Sequence, residues 1–406
     1  MSFDGKSPWW GREDLFFKQG ELYFADRTAQ SLAEQFATPT FVYSYARVKN
    51  KLESIHAAIN KTRLQGRFHL FYAMKANRFA PLLTMIKQSG LAGIDACSPA
   101  EVDHAVSCGF NSNDISYTNT MMSDHDIHRL LQHPGLLINC DSISVIKRIG
   151  KQCPGREIGI RINPAIGLGY GQNEKLAYSG SDTTKFGIYR EQFAEALAVA
   201  KQYDLAIKRI HFHTGCGYLN KQLSVWDSIL DSCHWFIDQV SESIEAVNVG
   251  GGLGVPHVAS DEPLNLDQWA SLLDKHFGGT TLRVHVEPGD YLVKDAGILL
   301  LQVNTVEKKR DRLFIGVNAG FNIALEPAVY KLPFEPVPAI IRHGEWQPAT
   351  IAGNINEALD IWYKDISLPP IHEDDILVLL NAGGYSSSMA SNHCMRGSFK
   401  EVLLID

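Results

Sequence analysis

Short apolar runs recur along the chain at residues 68–75, 92–98, 114–119, 136–142, 157–163, 209–215, 246–252 and 282–289. Most of them break off into polar residues or glycine: Lys75, 95–98, Asn119, Asp141 and Ser142, Asn163, 213–215, 250–252 and 287–289. Between them lie stretches with helical spacing, such as 99–108 and 192–202, the latter carrying Phe193, Ala196, Leu197 and Ala200 on one face. Strand and helix alternating in this way predict parallel strands joined by crossover helices, and eight such units in roughly 220 residues fit a (β/α)8 barrel of the TIM type. A doubly wound sheet is the rival. Beyond about residue 290 the pattern changes to strands with loop signals, at 291–305, 313–317, 337–341, 376–380 and 401–405, which predicts a mostly antiparallel β domain. The first forty residues, with strand-like 21–24 leading to 41–44, are too few to fold alone and are expected to join it. The expected α/β organisation is a barrel over 41–285 and a β-sandwich or barrel-like domain from 1–40 and 286–406.

Composition narrows the class of function. The chain has 406 residues, 45% hydrophobic and 20% charged, with a net charge of -7. Lys and Arg are scattered, so there is no electrostatic footprint for nucleic acid, and small-molecule chemistry is expected. No apolar run is long enough to span a bilayer, and the N-terminal segment lacks the apolar core of a secretory signal. Seven cysteines, odd in number and without CxxC spacing, indicate neither a disulfide framework nor a zinc site, and no metal is expected. A cytoplasmic location fits that chemistry.

The chemistry gathers at the predicted strand ends. In a barrel these ends converge on one face, so residues distant in sequence meet. Lys75 ends the first run; alone it reads as a snorkelling surface lysine, and in a site as an amine able to form a Schiff base. His213 ends the sixth, placed either as an ordinary core histidine or as a ring that stacks on a planar cofactor. Gly250, Gly251 and Gly252 end the seventh, a tight turn or a cradle whose N–H groups meet a phosphate. Glu287 ends the eighth, a surface ion-pair partner or a carboxylate that keeps a pyridine nitrogen protonated. Amine, imidazole, cradle and carboxylate together are the inventory that pyridoxal phosphate requires.

The ordered motifs at 71–77, 95–101, 161–164, 185–188, 211–217, 250–254, 287–289 and 382–385 resemble those of the fold-type III pyridoxal-phosphate decarboxylases. This is the diaminopimelate, ornithine and arginine decarboxylase family, related in its barrel to alanine racemase. The resemblance implies a homodimer with shared active sites and a small-molecule amino-acid substrate. It implies Lys75 as the Schiff-base lysine, His213 against the cofactor ring and Glu287 at the ring nitrogen. Gly250, Gly251, Gly252 and Tyr385 are implied as phosphate binders, with Cys216 in place of a phosphate-side serine. Asp95, Glu101 and Arg161 are implied as supports of cofactor and lysine.

The departures from the family lie on the substrate side. Asn356 stands where the family has a proton-donating cysteine, and an amide is no general acid near neutral pH. Glu357 keeps the acidic residue that meets a distal amine. Asp290 and Glu326 replace two family arginines, and Tyr330 lies in the same segment as Glu326. Two carboxylates in place of two cations reverse the local field, which argues against diaminopimelate and for a cationic, amidated or conjugated amino acid. A racemase or epimerase, a decarboxylation-dependent transaminase and a non-catalytic regulatory homologue are the alternatives.

Overall fold

A computed structural model describes residues 8–171, 173–180, 182–240 and 243–405. It divides into two compact units. One comprises 49–255 and 262–292; the other comprises the chain before residue 49, 256–261 and the chain from 293 onward.

The first unit is the expected barrel. Strands β1 (Phe68–Ala73), β2 (Gly93–Ala96), β3 (Ile115–Asn119), β4 (Leu137–Cys140), β5 (Glu157–Arg161), β6 (Ala206–His211), β7 (Ala246–Asn248) and β8 (Arg283–Val286) pair in parallel and close, β8 against β1. Their helices carry the apolar spacing that the sequence shows. The helix Arg190–Gln202 buries Phe193, Ala196 and Ala200, and the helix Leu223–Asp238 buries Trp226, Ile229, Leu230, Cys233 and Phe236. Several strand-to-helix turns end in a capping side chain: Ser98, Ser123, Ser142 and Asn265 each accept a backbone N–H three residues on. Each such cap is worth about 1 kcal/mol.

The barrel interior differs from the branched-aliphatic filling usual in this architecture. Alternation along β6 puts Arg209 and His211 on one face and Ile210 on the other. A Cβ on Gly159 of β5 would meet the Asn139 amide oxygen at 2.1 Å and the Arg209 Cβ at 3.3 Å, so β4, β5 and β6 turn polar side chains toward one another. Asn139, Arg209, His211, His285 and Glu287 are all buried. The barrel has a polar column at its centre.

In the second unit a sheet runs in the order Pro336–Pro338, Ile376–Leu379, Gly297–Lys309, Arg312–Val317, Gln347–Ala352, Ile361–Leu368. Thr40–Ser44 pairs with Gly297–Lys309, and Lys400–Leu404 pairs in parallel with Thr40–Ser44. A three-stranded sheet of Leu15–Lys18, Glu21–Phe24 and Arg27–Thr28 packs Leu22 and Phe24 with Leu32, Val42, Ile298 and Val378. The sheet is mostly antiparallel, as expected. The boundaries differ from 41 and 285: strand pairing takes 41–48 into the β unit, and 286–292 stay with the barrel because Glu287 N–H bonds the Gly250 carbonyl and the Pro288 carbonyl accepts from Ala73 N–H. No helix among the described residues is long and apolar enough to cross a membrane.

Candidate active site

The carboxyl-terminal ends of the barrel strands bring Lys75, Asp95, Arg161, His213, the three glycines and Glu287 to one mouth. Lys75 follows β1, and its Nζ donates to Asp95 Oδ2 at 2.8 Å; the lysine side chain is 40% exposed and the aspartate 2%. Burial first, then the charge of Glu287, pushes the Asp95 carboxyl up to about 7 against the pull of Lys75. The lysine thus faces solvent beside an acid able to exchange a proton near neutrality.

Glu287, past the end of β8, behaves oppositely. Its Oε1 accepts from Ser116 Oγ at 2.8 Å and Asn248 Nδ2 at 2.6 Å, and its Oε2 from His211 Nε2 at 2.9 Å. Burial alone would raise its pKa, but the charge and hydrogen bond of His211, with help from Lys75 and Ser116, hold it well below the usual carboxylate range. His211 Nδ1 is buried without a partner among the described residues, so the ring carries its proton on Nε2, toward the glutamate. Oε1 is filled by two donors, while Oε2 keeps a lone pair. A protonated pyridine nitrogen fits that remaining acceptor.

His213 lies tilted at 36° to Tyr178, ring centroids 5.0 Å apart, and its Nδ1 accepts the Gly251 N–H at 3.3 Å. Burial, then the charges of Lys75 and Arg161, lowers its pKa well below the ordinary histidine value, which suits a neutral ring at the face of an aromatic cofactor. Gly250 and Gly252 adopt φ of +69° and +99°, and a Cβ at Gly251 would stand 2.1 Å from the Glu287 carbonyl oxygen. Glycine is therefore demanded by backbone approach as much as by any anion. The Gly250 N–H is taken by Asn248 Oδ1 at 2.9 Å and that of Gly251 by His213, while among the described residues none accepts from the Gly252 N–H. Arg161 is buried with its guanidinium 4.7 Å from the Phe186 ring, and burial lowers its pKa against the opposing charge of Asp141. Cys216 is half-buried, its N–H on the Leu176 carbonyl.

Several members of this constellation escape a reading of motifs. Ser116, Asn248 and His211 fix Glu287, yet only strand alternation hints at them: His211 is two residues before His213, and Asn248 two before Gly250. Glu101, conversely, serves its helix. Its Oε2 accepts the Cys97 N–H at 2.6 Å while Ser98 Oγ accepts the Glu101 N–H at 3.1 Å.

The remaining expected residues belong to the β unit, apart from Asp290, which is buried in the first turn of the short helix Asp290–Val293 of the barrel unit. Glu326 opens a single π-turn, Glu326–Tyr330, and forms a buried ion pair with Lys294. The Lys294 ammonium also stands 5.7 Å from the centre of the Tyr385 ring, and Tyr385 itself takes φ of +54°. Tyr330 is half-buried at the end of the same turn. Asn356 and Glu357 are exposed at the tip of a turn whose base is clamped by Asp360, which accepts the N–H groups of Ile355 and Phe321, each at 2.7 Å. Glu357 Oε1 lies 3.3 Å from His393 Nε2.

Comparison with known proteins gives these residues a family. Residues 46–294 match the pyridoxal-binding domain of the pyridoxal-dependent decarboxylases. A diaminopimelate decarboxylase of Methanothermobacter thermautotrophicus is 32% identical over 95% of this chain and 91% of its own. The structure of diaminopimelate decarboxylase from Helicobacter pylori complexed with L-lysine superposes with a TM-score of 0.84 at 25% identity, covering 93% of this chain and 94% of that one. The enzyme from M. jannaschii shares the fold at a TM-score of 0.87 and 24% identity, over 97% and 93%.

These relatives overturn the expectation that diaminopimelate is excluded. The expected field reversal treats Glu326 as a lone negative charge. Lys294 lies against it with a side chain of 0% exposure, so the two together are neutral and repel nothing. The family match over residues 46–294 and the relatives matched nearly end to end outweigh the two substitutions. The chain belongs to the pyridoxal-dependent decarboxylase family and is a pyridoxal-phosphate-dependent carboxy-lyase acting on an amino acid.

Proposed function

We propose that this chain removes one carboxylate from diaminopimelate, leaving lysine. What carries the substrate assignment is the likeness to diaminopimelate decarboxylases over 95% of the chain, joined to the neutral Lys294–Glu326 pair where sequence suggested repulsion. Bound pyridoxal phosphate supplies the electron sink for the pair freed at Cα as carbon dioxide departs.

The chain's own residues do the rest. Lys75 Nζ is the amine that would hold the cofactor's carbonyl, and Asp95, poised near neutrality, takes up the proton this amine must lose. Glu287, kept ionised by three donors, would keep a cofactor's ring nitrogen protonated through Oε2. Neutral His213 would pack against the ring, Arg161 and Cys216 would line its surroundings, and the Gly252 N–H would meet phosphate. An exposed amide at Asn356 cannot protonate Cα, so Lys75 returns that proton. Glu357 receives the distal ammonium of the substrate. The reading includes a homodimer, because the turn bearing Glu357 is exposed beside Leu359 at 48% and Met395 at 88%, an apolar edge that suits a second copy.

Incubating the cofactor-loaded enzyme with diaminopimelate tests this directly. Lysine and carbon dioxide in equal amounts are expected. Carbon dioxide from another amino acid, with none from diaminopimelate, overturns the substrate; sedimentation as a monomer at working concentration overturns the shared site.

A further inference from the structure

At the amino-terminal end of the barrel, opposite the mouth that carries Lys75, a cavity of about 230 Å³ lies among Leu136, Leu137, Gly155, Arg156, Glu157 and Arg209. Arg209 is 6% exposed, and among the described residues nothing accepts a hydrogen bond from its Nε. Among the described residues its guanidinium is paired with no carboxylate at salt-bridge distance. The nearby acids are accounted for. Glu245 is engaged by Lys208 at 2.8 Å and Arg283 at 2.7 Å, and Glu157 sits exposed at the edge of β5. Cys140 offers no counter-charge, since burial pushes its thiol pKa upward and keeps it neutral.

A buried guanidinium Nε with no acceptor is costly to keep, and such groups in native proteins are normally paired or hydrogen-bonded. The cavity supplies the room for a partner from outside, about seven water-sized groups. Arg156 fixes a second positive charge at the rim by donating through Nη2 to the carbonyls of His133 and Leu136 at 3.2 and 3.1 Å. Two guanidinium groups and the one carboxylate of Glu157 make the cavity lining positive, which suits an anion.

We propose that this cavity is a binding site for a small carboxylate, held by the planar fork of Arg209 with Arg156 at its entrance. The guanidinium fork is the group that best matches a planar carboxylate. The site is separate from the barrel mouth: Arg209 packs over Gly159 beside Asn139, and Asn139 Nδ2 in turn donates to Ser116 Oγ at 3.2 Å, below Glu287.

Saturation-transfer NMR on the cofactor-loaded enzyme, titrated with sodium acetate at constant ionic strength, tests the proposal. Saturable acetate binding is expected, weakened at least about tenfold by Arg209→Met, the loss that follows from removing a charge-assisted hydrogen bond. Arg156→Met, a rim variant with no buried charge to disturb, is expected to weaken it severalfold. Acetate binding unchanged by both substitutions, or absent from the native enzyme, overturns the site. Inorganic phosphate binding in preference to acetate overturns the ligand class.

Discussion

The chain contains two lysine–carboxylate pairs of the same chemistry and opposite circumstance. In the barrel, Lys75 meets Asp95 with its side chain 40% exposed; in the β unit, Lys294 meets Glu326 with neither more than 5% exposed. Lys294 is further enclosed by the Phe334 and Tyr385 rings, at 5.5 and 5.7 Å from its Nζ. An ion pair in such a place has few ways to change protonation, because either neutral partner would strand the other's charge. Lys75 has solvent on one side and an acid near neutrality on the other, and can give up its proton. Exposure and the neighbouring charges, rather than the residue types, separate a reactive amine from a structural one.

The sharpest way to break that comparison is to remove each lysine. Lys75→Ala is expected to lower the rate of carbon dioxide release on the order of 10⁴-fold, while unfolding free energy in urea falls by about 1 kcal/mol or less, as for a partly exposed pair. Lys294→Met is expected to do the reverse in stability, costing about 3–5 kcal/mol by leaving Glu326 charged and buried. Lys294→Met with Glu326→Leu should recover most of that loss. If the double variant is as unstable as the single one, Lys294 supports the β unit through packing and not through charge.

Much of the fold is legible because barrel strands read as mostly apolar runs, and each of the eight overlaps one of those runs, although β6, at Ala206–His211, begins and ends earlier than 209–215. Two strands of the β unit, Gln347–Ala352 and Ile361–Leu368, are not, since Pro348 and the central Lys364 and Asp365 interrupt any simple pattern. The site divides in the same manner. Lys75, His213 and Glu287 stand at strand ends where periodicity points; Lys294 and Glu326 are 32 positions apart and meet only through the fold. In sequence Glu326 stands as an unpaired acid, and only the fold brings Lys294 against it to cancel the expected repulsion. The polar column of Asn139, Arg209, His211 and His285 escaped for a related reason, because its members are single residues inside otherwise apolar strands.

A finer test concerns the proton that Asp95 holds. Its carboxyl is raised to about 7 in the folded protein, against about 4 in the unfolded chain. Between those values the folded state binds a proton that the unfolded state has released, so stability falls as pH rises through the window and levels off above it. Urea unfolding of the cofactor-free protein across that range should show the decline, and Asp95→Asn should flatten it. A slope that survives the substitution assigns the proton elsewhere, and Lys75 then loses its acceptor.

The smallest effect asks which acid serves Lys75. Glu101 lies only six residues beyond Asp95, on the helix Pro99–Ser107, and its charge also acts on Asp95. Its hydrogen bond, however, goes to the Cys97 N–H at 2.6 Å, one residue before Ser98, whose side chain caps the helix by accepting the Glu101 N–H. Glu101→Ala is therefore expected to cost about 1 kcal/mol of stability and leave kcat scarcely changed. Asp95→Ala should show the opposite ratio, with kcat falling more than stability. A large loss of kcat in Glu101→Ala at full stability would mean that Lys75 exchanges its proton with the helix cap, and the contrast between an open and a closed pair would then rest on exposure alone.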